Sequence, residues 1–129
     1  MAKHEQKDGV LRYALEKWGT EPEYLWKKYP NYAILRQANN KKWYAAILEV
    51  PKSKLGLSGE GMIDILDVKC DQRMIGSLLG SIGYLPAYHM NKSSWITILL
   101  DETLPNEEIF QMLDISFALT WPQKPKKQG

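Results

Sequence analysis

The sequence predicts an α+β fold: an antiparallel β-sheet covered by helices, with elements in the order α-α-β-β-β-α-β-α. Three observations lead there. Apolar residues recur at helical spacing near both ends of the chain. Two strand-like runs flank Asn39-Asn40-Lys41, and asparagine accepts the positive φ of a hairpin turn. Two more strand-like runs, over 62–70 and 95–100, are separated by a third helical pattern. A chain of 129 residues is one domain by length. The domain is placed over residues 1–121, with a flexible basic tail over 122–129.

The first helix is expected from near Gln6 to Trp18. Leu11, Ala14, Leu15 and Trp18 stand at i, i+3, i+4 and i+7, one apolar stripe. Gly19 suits the left-handed residue after the last turn. Thr20, with Glu23 three residues on, has the form of a capping box, so a short second helix is expected over 21–28, stopped by Pro30. Tyr32–Ala38 and Lys42–Val50 form the expected hairpin. Residues 51–61 hold one proline, three glycines and two lysines and read as a mobile loop that Leu55 and Leu57 pin to the body.

Met62–Cys70 alternates: Ile63, Ile65, Asp67 and Lys69 share one face, Asp64, Leu66, Val68 and Cys70 the other. Both faces mix apolar and charged residues, so this strand is expected to be covered at one end only. Asp71 caps a third helix with the stripe Ile75, Leu78, Leu79 and Ile82, ended by Gly83. Gly76 and Gly80 weaken it by about 1 kcal/mol each relative to alanine. Trp95–Leu100 reads as a buried strand. Pro105 opens the last helix, where Glu107 and Glu108 complement the helix dipole. Ile109, Met112, Leu113 and Phe117 form its buried face, and Ser116 within that face is expected to bond back to a carbonyl one turn earlier.

Hydrophobic residues make up 44% of the chain and charged residues 25%, which excludes an intrinsically disordered class. Residues 1–8 lack the apolar core of a signal peptide, and no apolar run approaches the roughly 20 residues of a membrane span. The single cysteine, Cys70, fits a reducing compartment, and a cytoplasmic location is expected. Net charge is +2, but residues 22–54 hold seven basic side chains against two acids, a local +5. That patch is the kind of surface that meets phosphate.

No catalytic constellation completes itself. Two histidines and one cysteine do not supply a zinc site, and His4 is placed in a loose terminus. Cys70 with His89 is set aside as a nucleophile and base in favour of a packed cysteine. No phosphate-binding glycine loop or dinucleotide fingerprint occurs. No metal, cofactor or enzymatic activity is therefore expected. The stretch Tyr84–Asp101 is the best candidate for a functional surface. Tyr88, His89, Asn91, Lys92 and Trp95 present donors and aromatic faces to a protein or small ligand.

The segments Trp18-Gly-Thr-Glu-Pro-Glu-Tyr-Leu-Trp26, Lys41-Lys-Trp-Tyr44, Val68-Lys-Cys-Asp71 and Pro86-Ala-Tyr-His-Met-Asn-Lys92 with Trp95 resemble the MmcQ/YjbR family of small bacterial proteins. The resemblance spans roughly residues 11–120. Gln72 stands where the family often has proline, and Ser94 where histidine is common. The resemblance implies a frataxin-like (CyaY-like) α/β sandwich and a DNA-binding protein with a double wing. The absent acidic ridge on the first helix, where Lys7, Arg12 and Lys17 are interspersed with Glu5, Asp8 and Glu16, argues against importing iron binding with the fold. The expected function is weak, largely non-sequence-specific DNA binding through the hairpin tip and the glycine-rich loop. Arg36, Lys41, Lys42, Lys52, Lys54 and Lys92 are the expected contacts to phosphate. The alternative is a binding module using the Tyr88–Trp95 surface.

Overall fold

The computed structural model describes residues 4–122, so the expected tail lies outside the described residues apart from Pro122. The elements are α1 (Glu5–Trp18), β1 (Ala33–Arg36), β2 (Trp43–Pro51), β3 (Met62–Lys69), α2 (Gln72–Leu78), β4 (Tyr84–Pro86), β5 (Trp95–Leu99) and α3 (Asn106–Thr120), with a short 3-10 turn at Lys52–Leu55. The strands form one antiparallel sheet in the order β1-β2-β3-β5-β4. The predicted α+β class and antiparallel sheet are therefore present.

The expected helix over 21–28 is absent. Glu23 and Ile34 instead exchange two backbone hydrogen bonds of 2.9 Å as an isolated antiparallel bridge. The Glu23 carboxylate pairs with the Arg36 guanidinium at 3.0 Å and so does not close a capping box. Extended pairing along β1 outcompetes a helix too short to sustain itself. A second correction adds a strand: Tyr84–Pro86 pairs with Ile96–Ile98 on β5.

All three helices pack on one face of the sheet. Trp18 stacks on Phe117 at 4.0 Å between ring centres, and Tyr13 on Phe110 at 4.3 Å, so aromatic pairs join α1 to α3. The buried face of α1 is Gln6, Val10 and Ala14, whereas Leu15 is 50% exposed, a rotation from the predicted stripe. Gln6 tolerates burial because its amide is fully engaged. It donates to Leu104 O and to Asn106 Oδ1 and accepts from Glu102 N, all within 3.0 Å. Gly19 takes the predicted left-handed cap, φ 68°. In α2 only Ile75 is buried, and Ile82 is 83% exposed. Gly76 lies within it and Gly80 just beyond it, and that helix stops early.

The opposite face carries a second core of Ile34, Ala46, Leu48, Val50, Ile63, Ile65 and Leu99. No helix covers it. Leu55, Leu57, Leu85, Tyr88 and Met90 lean onto it from loops and the sheet edge, and the 51–61 loop is pinned as expected. β3 is thus buried on both faces along most of its length, not at one end only. Its predicted face assignment holds, with Asp64 toward the helices and Asp67 toward the loops. Gly83, at φ 99°, leads into β4, and a Cβ there would lie 2.7 Å from Leu104 Cγ.

Ser116 departs from the expected back-bond. Its hydroxyl donates to Tyr44 O at 2.5 Å and accepts from Lys69 N at 2.8 Å, tying α3 to β2 and β3 at once. Replacing Ser116, fully buried, with alanine strands both backbone groups. Ser116→Ala should lower the unfolding free energy by about 1–3 kcal/mol, read from the urea midpoint. A loss below about 0.5 kcal/mol, the range of neutral surface changes, would remove this tie from the account.

Candidate ligand-binding cleft

After β4 the chain crosses the helix-free face. Tyr88 N donates to Thr97 Oγ1 at 2.8 Å, and Lys92 Nζ donates to Ala87 O at 2.8 Å, closing the crossover on itself. His89 sits between these anchors at φ 62°, a conformation uncommon for a residue with a side chain. Its ring lies 4.0 Å from that of Tyr88. Backbone strain of this kind concentrates at functional sites.

Beside the crossover lies a cleft of about 650 Å³. Trp26, Tyr29, Tyr32, Trp43, Tyr88 and His89 wall it over a floor of Ile34, Ala46 and Leu48, and Lys54 contributes charge. The aromatic walls are mutually braced. Tyr29 stacks on Tyr32 at 4.7 Å, Trp26 meets Trp43 edge-on at 6.1 Å, and the Arg36 guanidinium lies 5.8 Å from the Trp43 ring centre. A smaller cleft of about 360 Å³ adjoins it, sharing Tyr88, His89 and Lys54 and adding Lys92.

Of the five predicted ligand residues, Tyr88, His89 and Lys92 gather here. Asn91 builds the following turn, accepting from Ser93 N and Oγ at 2.9 and 2.6 Å. Trp95 opens β5, with the Lys69 ammonium 5.9 Å from its ring centre. Sequence reasoning missed Trp26, Tyr29, Tyr32 and Trp43 as cleft residues. The available signal was an aromatic cluster too dense for the expected helix and hairpin.

The predicted phosphate contacts divide. Arg36, Lys41 and Lys42 lie at the start of β2, and Lys52 and Lys54 follow its end. Arg36 is ion-paired with Glu23 and also donates to Lys41 O at 3.3 Å. Arg36 and Lys41 line a separate cleft of about 540 Å³, but Glu21 and Glu23 line it too. Only Lys54 and Lys92 share a cleft of their own. Cys70 is buried on the helix side, its thiol pushed up by burial, and His89 is on the other face, so the two are not brought together. His4 is not loose: it precedes α1 and contacts Asp64 at 2.6 Å.

The family model YjbR matches residues 15–119. The chain belongs to the YjbR family. It is 46% identical over 114 residues to the uncharacterized protein YyaQ of Bacillus subtilis, covering 88% of this chain and 97% of that one. A Pseudomonas syringae protein of known crystal structure is 40% identical and superposes with a TM-score of 0.86, over 88% of this chain and 97% of the other. A Deinococcus radiodurans protein with a DUF419 domain shares the fold at a TM-score of 0.65 and 20% identity, over 87% and 76% of the two chains. The YjbR match includes every cleft residue, whereas His4 precedes it. Among the described residues, no helix is long and apolar enough to cross a membrane.

Beneath the crossover of this YjbR chain lies Asp67, fully buried. The Thr97 hydroxyl donates to its Oδ1 and in turn accepts from Tyr88 N, while its Oδ2 has no partner. Burial pushes the carboxyl up to about 7, against the pull of Thr97, the Tyr88 amide and Lys92. A folded-state value above the unfolded one means the native state binds the extra proton. The associated stability is fully present below about pH 4 and is lost as pH rises through about 7. Urea midpoints should therefore fall between about pH 4 and 7 in the parent protein, and Asp67→Asn should flatten that decline. An unchanged decline in the variant would assign it to other groups.

Proposed function

We propose that this YjbR-family chain is a binding module whose aromatic cleft takes a small planar ligand bearing an anionic group. One observation carries the reading. A cleft of about 650 Å³ is walled by aromatic rings and adjoins a second cleft lined by Lys54 and Lys92. Aromatic rings hold a planar group by offset or edge-on contact, and the two ammonium groups supply the counter-charge. The strained His89 between the two clefts fits a residue held for contact with a ligand.

Duplex DNA binding is the second reading, supported by the basic side chains at both ends of β2. It has the weaker geometric basis, since the two basic projections sit at opposite ends of one strand and Arg36 is ion-paired. The comparison with a frataxin-like sandwich stays at the level of a helix-backed antiparallel sheet and adds no function.

Thermal shift with 1-naphthoate and with a nucleoside monophosphate separates the two readings from each other. A ligand at 100-fold its Kd should stabilise by about 2.7 kcal/mol, a Tm rise of several degrees. Lys54→Glu should abolish that rise without lowering the unliganded Tm, because its side chain is exposed, and Trp26→Ala should abolish it with a modest fall in the unliganded Tm from the lost contacts to Tyr32 and Trp43. No shift with either compound, or one untouched by both variants, overturns the cleft reading. Duplex DNA is titrated in parallel at two salt concentrations. A log–log slope near −3.6, the value for about four neutralised phosphates, that is lost in a Lys41→Glu/Lys42→Glu variant would put the DNA reading first.

A further inference from the structure

We infer that His4, Glu49 and Asp64 form a site for a divalent transition-metal ion of the zinc class. The three come from separate parts of the chain: the residue before α1, β2 and β3. Glu49 and Asp64 are register partners on adjacent strands. Like charges directly opposite one another in a sheet are destabilising, so this placement calls for a cation between them. One ligand atom from each of the three residues lies within 4.8 Å of the others. An ion with bonds of about 2.0–2.2 Å to nitrogen and oxygen draws such a set together with small side-chain adjustments.

Asp64 supplies the independent sign of a ligand. Its side chain is 2% exposed, its Oδ2 contacts His4 Nδ1 at 2.6 Å, and its Oδ1 is buried with no hydrogen-bond partner. Such an orphaned carboxylate oxygen is costly unless something occupies the space it faces. Asp64 lines a cleft of about 160 Å³ together with His4, Glu49 and Asp101. Glu49 is oriented from behind: Asn31 Nδ2 donates to its Oε1 at 3.0 Å, while its Oε2 lies 3.9 Å from His4 Nε2. A hydrogen bond that fixes the far oxygen of a ligating carboxylate is a regular feature of metal sites.

Lys52 lines the same cleft and is the competing cation. It makes no ion pair with Glu49 or Asp64 among the described residues, and its ammonium lies near Gly59. An imidazole with two carboxylates favours zinc or cobalt over magnesium, which prefers an all-oxygen octahedron.

The test uses the untagged full chain after chelator treatment, titrated calorimetrically with zinc chloride and with magnesium chloride. One zinc per chain should bind, with a rise in Tm, and magnesium should not. His4→Gln and Glu49→Gln should each weaken zinc binding at least tenfold, and Asn31→Ala by about tenfold through lost orientation. Circular dichroism and Tm in chelator establish that each variant is folded. Absence of zinc binding, or zinc binding unchanged in folded His4→Gln and Glu49→Gln, overturns the site and leaves the three groups as a hydrogen-bonded brace.

Discussion

β3 carries a carboxylate into each of the two layers it separates. Asp64 and Asp67 are three residues apart, so they project from opposite faces, and both are almost wholly buried. A buried carboxylate is costly unless it is protonated or partnered. The two are handled differently. Asp64 draws in His4 and thereby seats the start of α1 against the sheet. Asp67 takes the Thr97 hydroxyl, which also holds the Tyr88 amide, and thereby seats the crossover from β4 to β5. The walls of both candidate sites thus stand where they do because one strand was given two acids.

The sheet's asymmetry accounts for the cleft. Three helices occupy one face and leave little room there. The other face is covered by short segments from 26–32, 52–57 and 85–90, each leaning in from a different edge. Loops cannot fill a sheet face as closely as helices, whose side chains interlock at regular intervals. The gap between them is lined by rings because aromatic residues span wide separations with few rotatable bonds. Tyr24, Leu25, Trp26 and Tyr29 remain exposed in the segment before β1.

Much of this fold was legible where local pattern and tertiary demand agree. The hairpin turn at Asn39–Lys41, the Gly19 cap, the Asp71 cap and the two-face assignment of Met62–Cys70 all follow from short-range rules, although the positive φ of the turn falls on Lys41 and not on an asparagine. Asp71 accepts from Arg73 N at 2.8 Å, as its position foretold. What escaped were choices decided at long range. Thr20 and Glu23 have the spacing of a cap, yet Glu23 answers to Ile34 and Arg36. Ser116 could close a local bond, yet β2 and β3 offer it two unsatisfied groups. His4 lies 60 residues from Asp64, and no periodicity links them. The cleft was legible at Tyr88 and His89, where polar and aromatic residues mix, and was missed at Trp26 to Trp43, where a dense aromatic cluster was the signal but the same residue types pass for core.

The charge distribution turns on the same distinction between sequence and space. A count of +5 over residues 22–54 treats that segment as a point. β2 runs through it as nine extended residues, about 27 Å from end to end at 3.4 Å per residue. The Debye length at physiological salt is about 8 Å, so the two ends do not sum into one field. At the first end Glu21 and Glu23 offset Arg36 and Lys41. At the second, Lys52 lies by Glu49, Asp64 and Asp101, whereas Lys54 joins Lys92, which sequence places far outside the counted segment. The lysines that line one cleft, Lys54 and Lys92, therefore do so beside an aromatic wall. Under the proposed function such a pair would take one small anion on a flat body, whereas the evenly spaced phosphates of a duplex would call for a longer row of cations.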